Sequence, residues 1–173
     1  MNLRVAKVTD FERIVVFYRY AINNTKDMST YARWVYGQHP TDKMILEYIE
    51  QGAMYILEEN ETIVAAMAVT MFQRADYHNI SWFLELKDDD VAVVHILCVN
   101  PDFQKQDIGK RMIQECIHLA DKEGKKAIRL DALESNATAH KMYEALGFQC
   151  RGKQNLYAEN TGWTNFLFFE FLI

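Results

Sequence analysis

The chain has 173 residues, half of them hydrophobic, which is enough to bury the core of one domain and too few for a second full one. A formal net charge of -5 gives no general attraction to phosphate backbones, so nucleic acid is not an expected partner. No run of about 18 or more apolar residues occurs, and Met1-Asn2-Leu3-Arg4-Val5 has no uninterrupted apolar stretch, so no membrane is expected and a cytoplasmic protein is the simplest reading.

In chain order, residues 3–8 alternate apolar and polar side chains and read as an edge strand, after which Thr9 or Asp10 can cap a helix over residues 11–23. Between residues 27 and 48, Tyr31, Trp34, Tyr36 and Tyr48 are interrupted by Gly37 and Pro40, a pattern that predicts two helical pieces. Residues 54–58 and 62–72 are β-rich and joined by Glu59-Asn60-Glu61, as in an antiparallel hairpin. Residues 91–99 are almost continuously apolar, the signature of a central strand covered on both faces. Ile108, Met112, Cys116 and Leu119 or Ala120 then recur at helical spacing up to a stop at Gly124. Residues 127–133 read as a strand, 137–146 as a helix, and the tail as two strands around Glu159-Asn160-Thr161-Gly162. With no repeat or linker, residues 1–173 are expected to form one mixed α/β layer structure.

Cys98, Cys116 and Cys150 are far apart, which suggests neither a disulfide framework nor a zinc site; His95 and Cys98 lack further ligands, so no metal is expected. Cys98 as a small buried hydrophobe is favoured over Cys98 as a reactive nucleophile. Arg129 and Asp131 alternate with Ile128 and Leu130, project to one side, and are expected to form an ion pair, with Asp131 near the strand end where it can face a ligand.

The chemistry concentrates between residues 94 and 148. A loop that leaves a strand and opens a helix presents unpaired backbone N–H groups at the positive end of the helix dipole, a place suited to a pyrophosphate. Gln104-Lys105-Gln106-Asp107-Ile108-Gly109-Lys110, followed by Arg111, is such a loop and adds donors and positive charge. In the following helix Asn136 and Tyr143 are two turns apart and close to one face, so both can point into one cleft.

These residues resemble the GNAT superfamily of acyl-coenzyme A-dependent N-acyltransferases. The family pattern Q/R-x-x-G-x-G/A falls on Gln104, Asp107 and Gly109, and its later N-x-x-A-x-x-x-Y-x-x-x-G-F is met at Asn136, Ala139, Tyr143, Gly147 and Phe148. The resemblance implies an α/β (α+β) fold with a mixed, twisted central sheet of about six to seven strands flanked by helices. It also implies transfer of an acetyl group from acetyl-coenzyme A (acetyl-CoA) to a primary amine by direct attack in a ternary complex. The pantetheine arm would pair with the backbone of Leu97 and Val99, and an N–H near Leu97 or Cys98 would stabilise the oxyanion. Tyr143, a phenol with a reference pKa of roughly 10, would donate to the departing thiolate.

The base that accepts the amine proton has three candidates, His95, Glu134 and His140; His95 is preferred because it interrupts the central strand two residues before Leu97, on what alternation makes the same side, with Cys98 opposite. Tyr18, Tyr31, Trp34, Tyr36, Tyr157 and Trp163 are candidates for the acceptor wall, and a small-molecule amine is the favoured partner. A homodimer through exposed strand or helix surface is compatible with the sequence, though nothing in it fixes one. Asp107 departs from the family glycine. It tolerates a left-handed backbone, but its charge should weaken phosphate binding unless the side chain turns to solvent or caps the helix. Two rival readings follow from that departure: a non-catalytic acyl-CoA-binding sensor, and an interaction domain that holds no phosphate.

Overall fold

Residues 54–70 fold as two β-rich runs joined by a polar turn predict: β1 (Asn2–Val5) pairs with β2 (Met54–Glu59), and β2 turns back through Asn60 and Glu61 into β3 (Thr62–Thr70). The computed structural model describes residues 1–173 and carries one seven-stranded sheet. β4 (Val91–Val99), β5 (Ala127–Leu133), β6 (Gln149–Ala158) and β7 (Gly162–Leu172) complete it in the spatial order β1-β2-β3-β4-β5-β7-β6. Only β4 and β5 run parallel, which requires a crossover, and helix α3 (Ile108–Lys122) supplies it. The sheet is therefore mixed, as expected.

Two apolar layers hold the helices to it. On one face α1 (Phe11–Asn24) and α2 (Asp42–Glu50) bury Ile14, Tyr18, Ile45 and Tyr48 against Ile56, Ala66, Ala68 and Cys98. On the other, α3 and α4 (Ala137–Ala145) bury Ile108, Met112, Cys116 and Tyr143 against Met67, Ala92, Val94 and Leu130. Residues 71–90 form no strand; they lie beside α2 on the first face, where Tyr77 and Ile80 pack on Val91, Val93 and Phe168. No helix is long and apolar enough to cross a membrane.

Three expected elements differ. The first strand stops at Val5 because the Asp10 carboxylate accepts from the Lys7 N–H at 2.8 Å and from Arg4, which turns the chain into a short 3-10 turn over Val8–Asp10. Only one helix, α2, forms between residues 27 and 48; the preceding stretch is a series of turns in which Asp27 and Arg33 take left-handed φ values of 59° and 55°. β3 ends at Thr70, whose hydroxyl donates to the Phe72 carbonyl and folds the backbone out of the sheet.

Candidate active site

The site begins where two strands part. β4 and β5 are in register at Val91↔Ala127, Ala92↔Ile128 and Val93↔Arg129, and no pairing follows. Beyond Val93 the edge of β4 that faces away from β3 opens onto a cleft of about 720 Å³ lined by Val94 to Val99 on one side and Asp131 to Leu133 on the other.

Within that stretch β4 carries an extra residue. Cys98 stands opposite Ala66 and His95 opposite Ala68, so Ile96 and Leu97 together face Met67, and Ile96 takes a left-handed φ of 44°. The buried Tyr18 hydroxyl donates to the Ile96 carbonyl at 2.7 Å and fixes the bulge. This overturns the expected sidedness: His95, Ile96 and Cys98 share the α1/α2 face, whereas Leu97 and Val99 pack on the α3/α4 face. Cys98 is buried, and burial pushes its thiol up to about 12, which leaves it a poor nucleophile.

His95 lines the cleft with its ring stacked on Tyr48 at 5.5 Å. Its Nε2 lies 3.1 Å from the Thr70 hydroxyl, whose own proton is committed to Phe72, so Nε2 is the protonated nitrogen and Nδ1 the free acceptor. Burial, with Arg74 and His39 nearby, holds its pKa down to about 4, and the ring is neutral at ordinary pH.

Asp131 does not pair with Arg129. The guanidinium instead reaches Glu170 at 2.8 and 3.0 Å, Gln73 at 2.6 Å and the Leu84 carbonyl at 2.9 Å, and lies 4.1 Å over the Trp82 ring. Asp131 accepts from the Tyr77 hydroxyl at 2.5 Å and lines the cleft.

At the N-terminus of α3 Asp107 takes the left-handed φ of 56° that its position demands. Its side chain does not cap the helix; it is largely exposed and pairs with Lys110 at 3.0 Å. The N–H groups of Ile108, Gly109 and Lys110, too early in the helix for intrahelical partners, are left open beside the cleft. Gln104 and Lys105 also line it, the Gln104 amide donating to Thr25 at 3.2 Å, while Gln106 is exposed outside the lining. A Cβ on Gly109 would meet the Met142 sulfur at 2.9 Å, so a side chain there would require the flexible Met142 to move aside.

α4 brings in two further groups. The Asn136 side chain accepts from the Ala139 N–H and caps the helix. Tyr143 is buried between Phe148 and Phe169 and borders the cleft; burial, with the Asp131 charge adding, raises its pKa and keeps the phenol protonated. His140 and Glu134 are outside the lining, engaged with the Leu133 carbonyl and with Lys153 and Asn165 respectively.

Of the aromatics, Tyr31 and Trp34 line the cleft and Tyr18, Tyr36, Tyr157 and Trp163 do not. Tyr36 donates to Asp42, and Tyr157 and Trp163 pack on each other at the exposed end of the β6–β7 hairpin. Residues 25–34 cross the opening as a strap, a feature the residue pattern did not announce. Asn160 donates to the Arg33 carbonyl at 2.8 Å, Arg33 to the Thr161 carbonyl at 3.3 Å and Ser135 to the Tyr31 carbonyl at 2.8 Å.

Residues 21–148 match the Acetyltransferase (GNAT) family. The chain belongs to the GNAT family. An uncharacterized N-acetyltransferase of Methanocaldococcus jannaschii is 27% identical over 119 residues, 69% of this chain and 46% of that protein. The ribosomal protein bS18-alanine N-acetyltransferase of Escherichia coli K12 is 32% identical over 74 residues, 42% of this chain and 50% of that protein. The matches thus span about half the length of these relatives. A Salmonella typhimurium acetyltransferase structure with its cofactor acetyl-CoA superimposes with a TM-score of 0.70 at 18% identity, covering 99% of this chain and 93% of that one.

For a GNAT protein the departure at Asp107 has a measurable consequence. Its carboxylate is exposed and already paired with Lys110, and exposed pairs are worth under about 1 kcal/mol. Asp107→Gly is therefore expected to tighten coenzyme A binding by less than about fivefold in calorimetry. Weakening of about tenfold would instead show that Asp107 holds Lys110 in a useful position.

Proposed function

We propose that residues 1–173 form one catalytic domain, an acetyl-CoA-dependent N-acetyltransferase whose acceptor is a small primary amine. The parting of β4 from β5 beside Tyr143 is the observation that carries this reading. The open N–H groups of Ile108, Gly109 and Lys110, within the loop from Gln104 through Lys105, Gln106 and Asp107, suit a pyrophosphate, and Lys110 adds charge. Leu97 and Val99 offer a strand edge to the pantetheine amides, with Asn136 beside it. Acetyl-CoA supplies the activated acetyl thioester, and the backbone at the bulge offers N–H groups to charge developing on the thioester oxygen. Tyr143 holds a proton at the border of the cleft and would donate it to the departing thiolate. His95, a weak base with a pKa near 4, serves as a neutral polar wall whose Nδ1 can accept from the incoming amine.

The strap over residues 25–34, bonded to the turns at Ser135 and Asn160–Thr161, favours a small acceptor over a long peptide laid across the opening. The bS18-alanine acetyltransferase among the relatives favours a second reading, a protein N-terminus. Thermal unfolding with and without acetyl-CoA, then thiol release with small amines and with a peptide that begins with alanine, separates these. Stabilisation with release on small amines is the expected result. Release on the peptide alone would reassign the acceptor to protein, stabilisation without release would favour a non-catalytic sensor, and no stabilisation would count against cofactor binding altogether.

A further inference from the structure

One half-buried carboxylate that lines the cleft, Asp131, has no counter-charge. Val93↔Arg129 is the last registered pair of β4 and β5, so two residues further along both strands His95 and Asp131 come level on one face, across the opening from each other. Tyr77, the residue bonded to Asp131, arrives from the segment over Ala75–Asn79 and is itself locked by stacking on Trp82 at 5.9 Å and against Phe168 at 5.4 Å. It bonds one carboxylate oxygen and leaves the other without a protein donor. No Lys, Arg or His lies within ion-pair distance, since the neighbouring Arg129 is consumed by Glu170. Trp34, Tyr48 and Phe166 supply apolar wall to the same cleft.

Resting on the acetyl-transfer reading, we propose that Asp131 is the ammonium anchor of the acceptor site, held in place by Tyr77, and selects primary amines borne on an apolar or aromatic body. A half-buried carboxylate without a cation is costly, and an ammonium supplies the missing charge together with hydrogen bonds; for transfer the anchored ammonium first gives one proton to water in the cleft, since only the free amine attacks the thioester. The raised pKa of Asp131, which burial causes first and Asp76 adds to, reports the same lack of compensation. The aromatic walls add attraction for a cation and area for its body. Tyr77 is a positioning residue.

The test is calorimetry on the full chain saturated with coenzyme A, which allows no turnover, using 2-phenylethylamine and its neutral isostere 2-phenylethanol at pH 7. The amine is expected to bind at least about tenfold more tightly than the alcohol. Asp131→Asn should bring the two within about threefold of each other, and Tyr77→Phe should keep the preference while weakening the amine severalfold. An unchanged thermal shift with coenzyme A certifies that each variant is folded, and Asp131→Leu repeats the comparison if the Asn variant does not fold. A preference for the amine that survives Asp131→Asn, or a wild-type chain without preference, overturns the proposal. If the preference depends on Asp131 but acetyl-CoA yields no thiol with any amine, the transfer reading fails and the anchor stands.

Discussion

Arg129→Ala is expected to destabilise the protein by about 3–5 kcal/mol, because it leaves Glu170 charged and unpaired in the interior. Both side chains are almost fully buried, at 1% and 2% exposure, and all three guanidinium nitrogens donate, toward Glu170, Gln73 and the Leu84 carbonyl. Urea unfolding of the single variant and of the double variant Arg129→Met with Glu170→Gln checks this. The double variant should recover much of the loss, since it removes the buried charge along with its partner. A cost below about 1 kcal/mol for the single change would show that Glu170 is neutralised by other means, Arg151 at 4.0 Å being the nearest cation. The same change should loosen residues 71–90, because Trp82 stacks on Arg129 and the Phe83 N–H is bound to Glu170.

Tyr143→Phe is expected to lower kcat by about 100-fold or more while leaving the KM for acetyl-CoA within about threefold. The substitution removes one oxygen and keeps the ring packed between Phe148 and Phe169. The phenol has no hydrogen-bond acceptor among the protein groups around it and borders the cleft, so its removal should cost little stability. Burial holds its pKa above the ordinary tyrosine value, so the proton is available throughout the neutral range. Initial rates and urea midpoints on the same preparations separate the two effects. An unchanged kcat would mean that the thiolate is protonated by another group.

The parts of this molecule written in local sequence were legible before its structure. The hairpin at residues 54–70, the central strand, the helix from Ile108 and the helix from Ala137 each follow from periodicity and turn chemistry, and the strand–loop–helix motif located the cleft. What escaped depends on single backbone deviations or on contacts far apart in sequence. An alternating reading of residues 91–99 assumes a period of two, and one bulge at Ile96 inverted the predicted relation of His95 to Leu97 and Cys98. Arg129 and Asp131 are close in sequence and carry opposite charges, yet Glu170 on the adjoining strand β7 is opposite Arg129 in register and claims it. Tyr77 gave no signal at all, since its role arises only when residues 71–90 fold back over β5. In the turn-rich stretch before α2 the aromatics sit at helix-like spacing, while left-handed residues such as Arg33 leave no mark in composition.

The parting of β4 and β5 has a further consequence for how this protein behaves among its neighbours. Unpaired strand edges at the margin of a sheet are templates on which other chains assemble, and proteins commonly blunt them with charge or proline. Here two such edges are created in the middle of the sheet, between strands that are bonded on their other sides to β3 and β7. The strap at residues 25–34 passes over them and α3 and α4 back them. The chain thus leaves backbone donors and acceptors unspent along the cleft while the strap and two helices stand between them and the strands of another molecule.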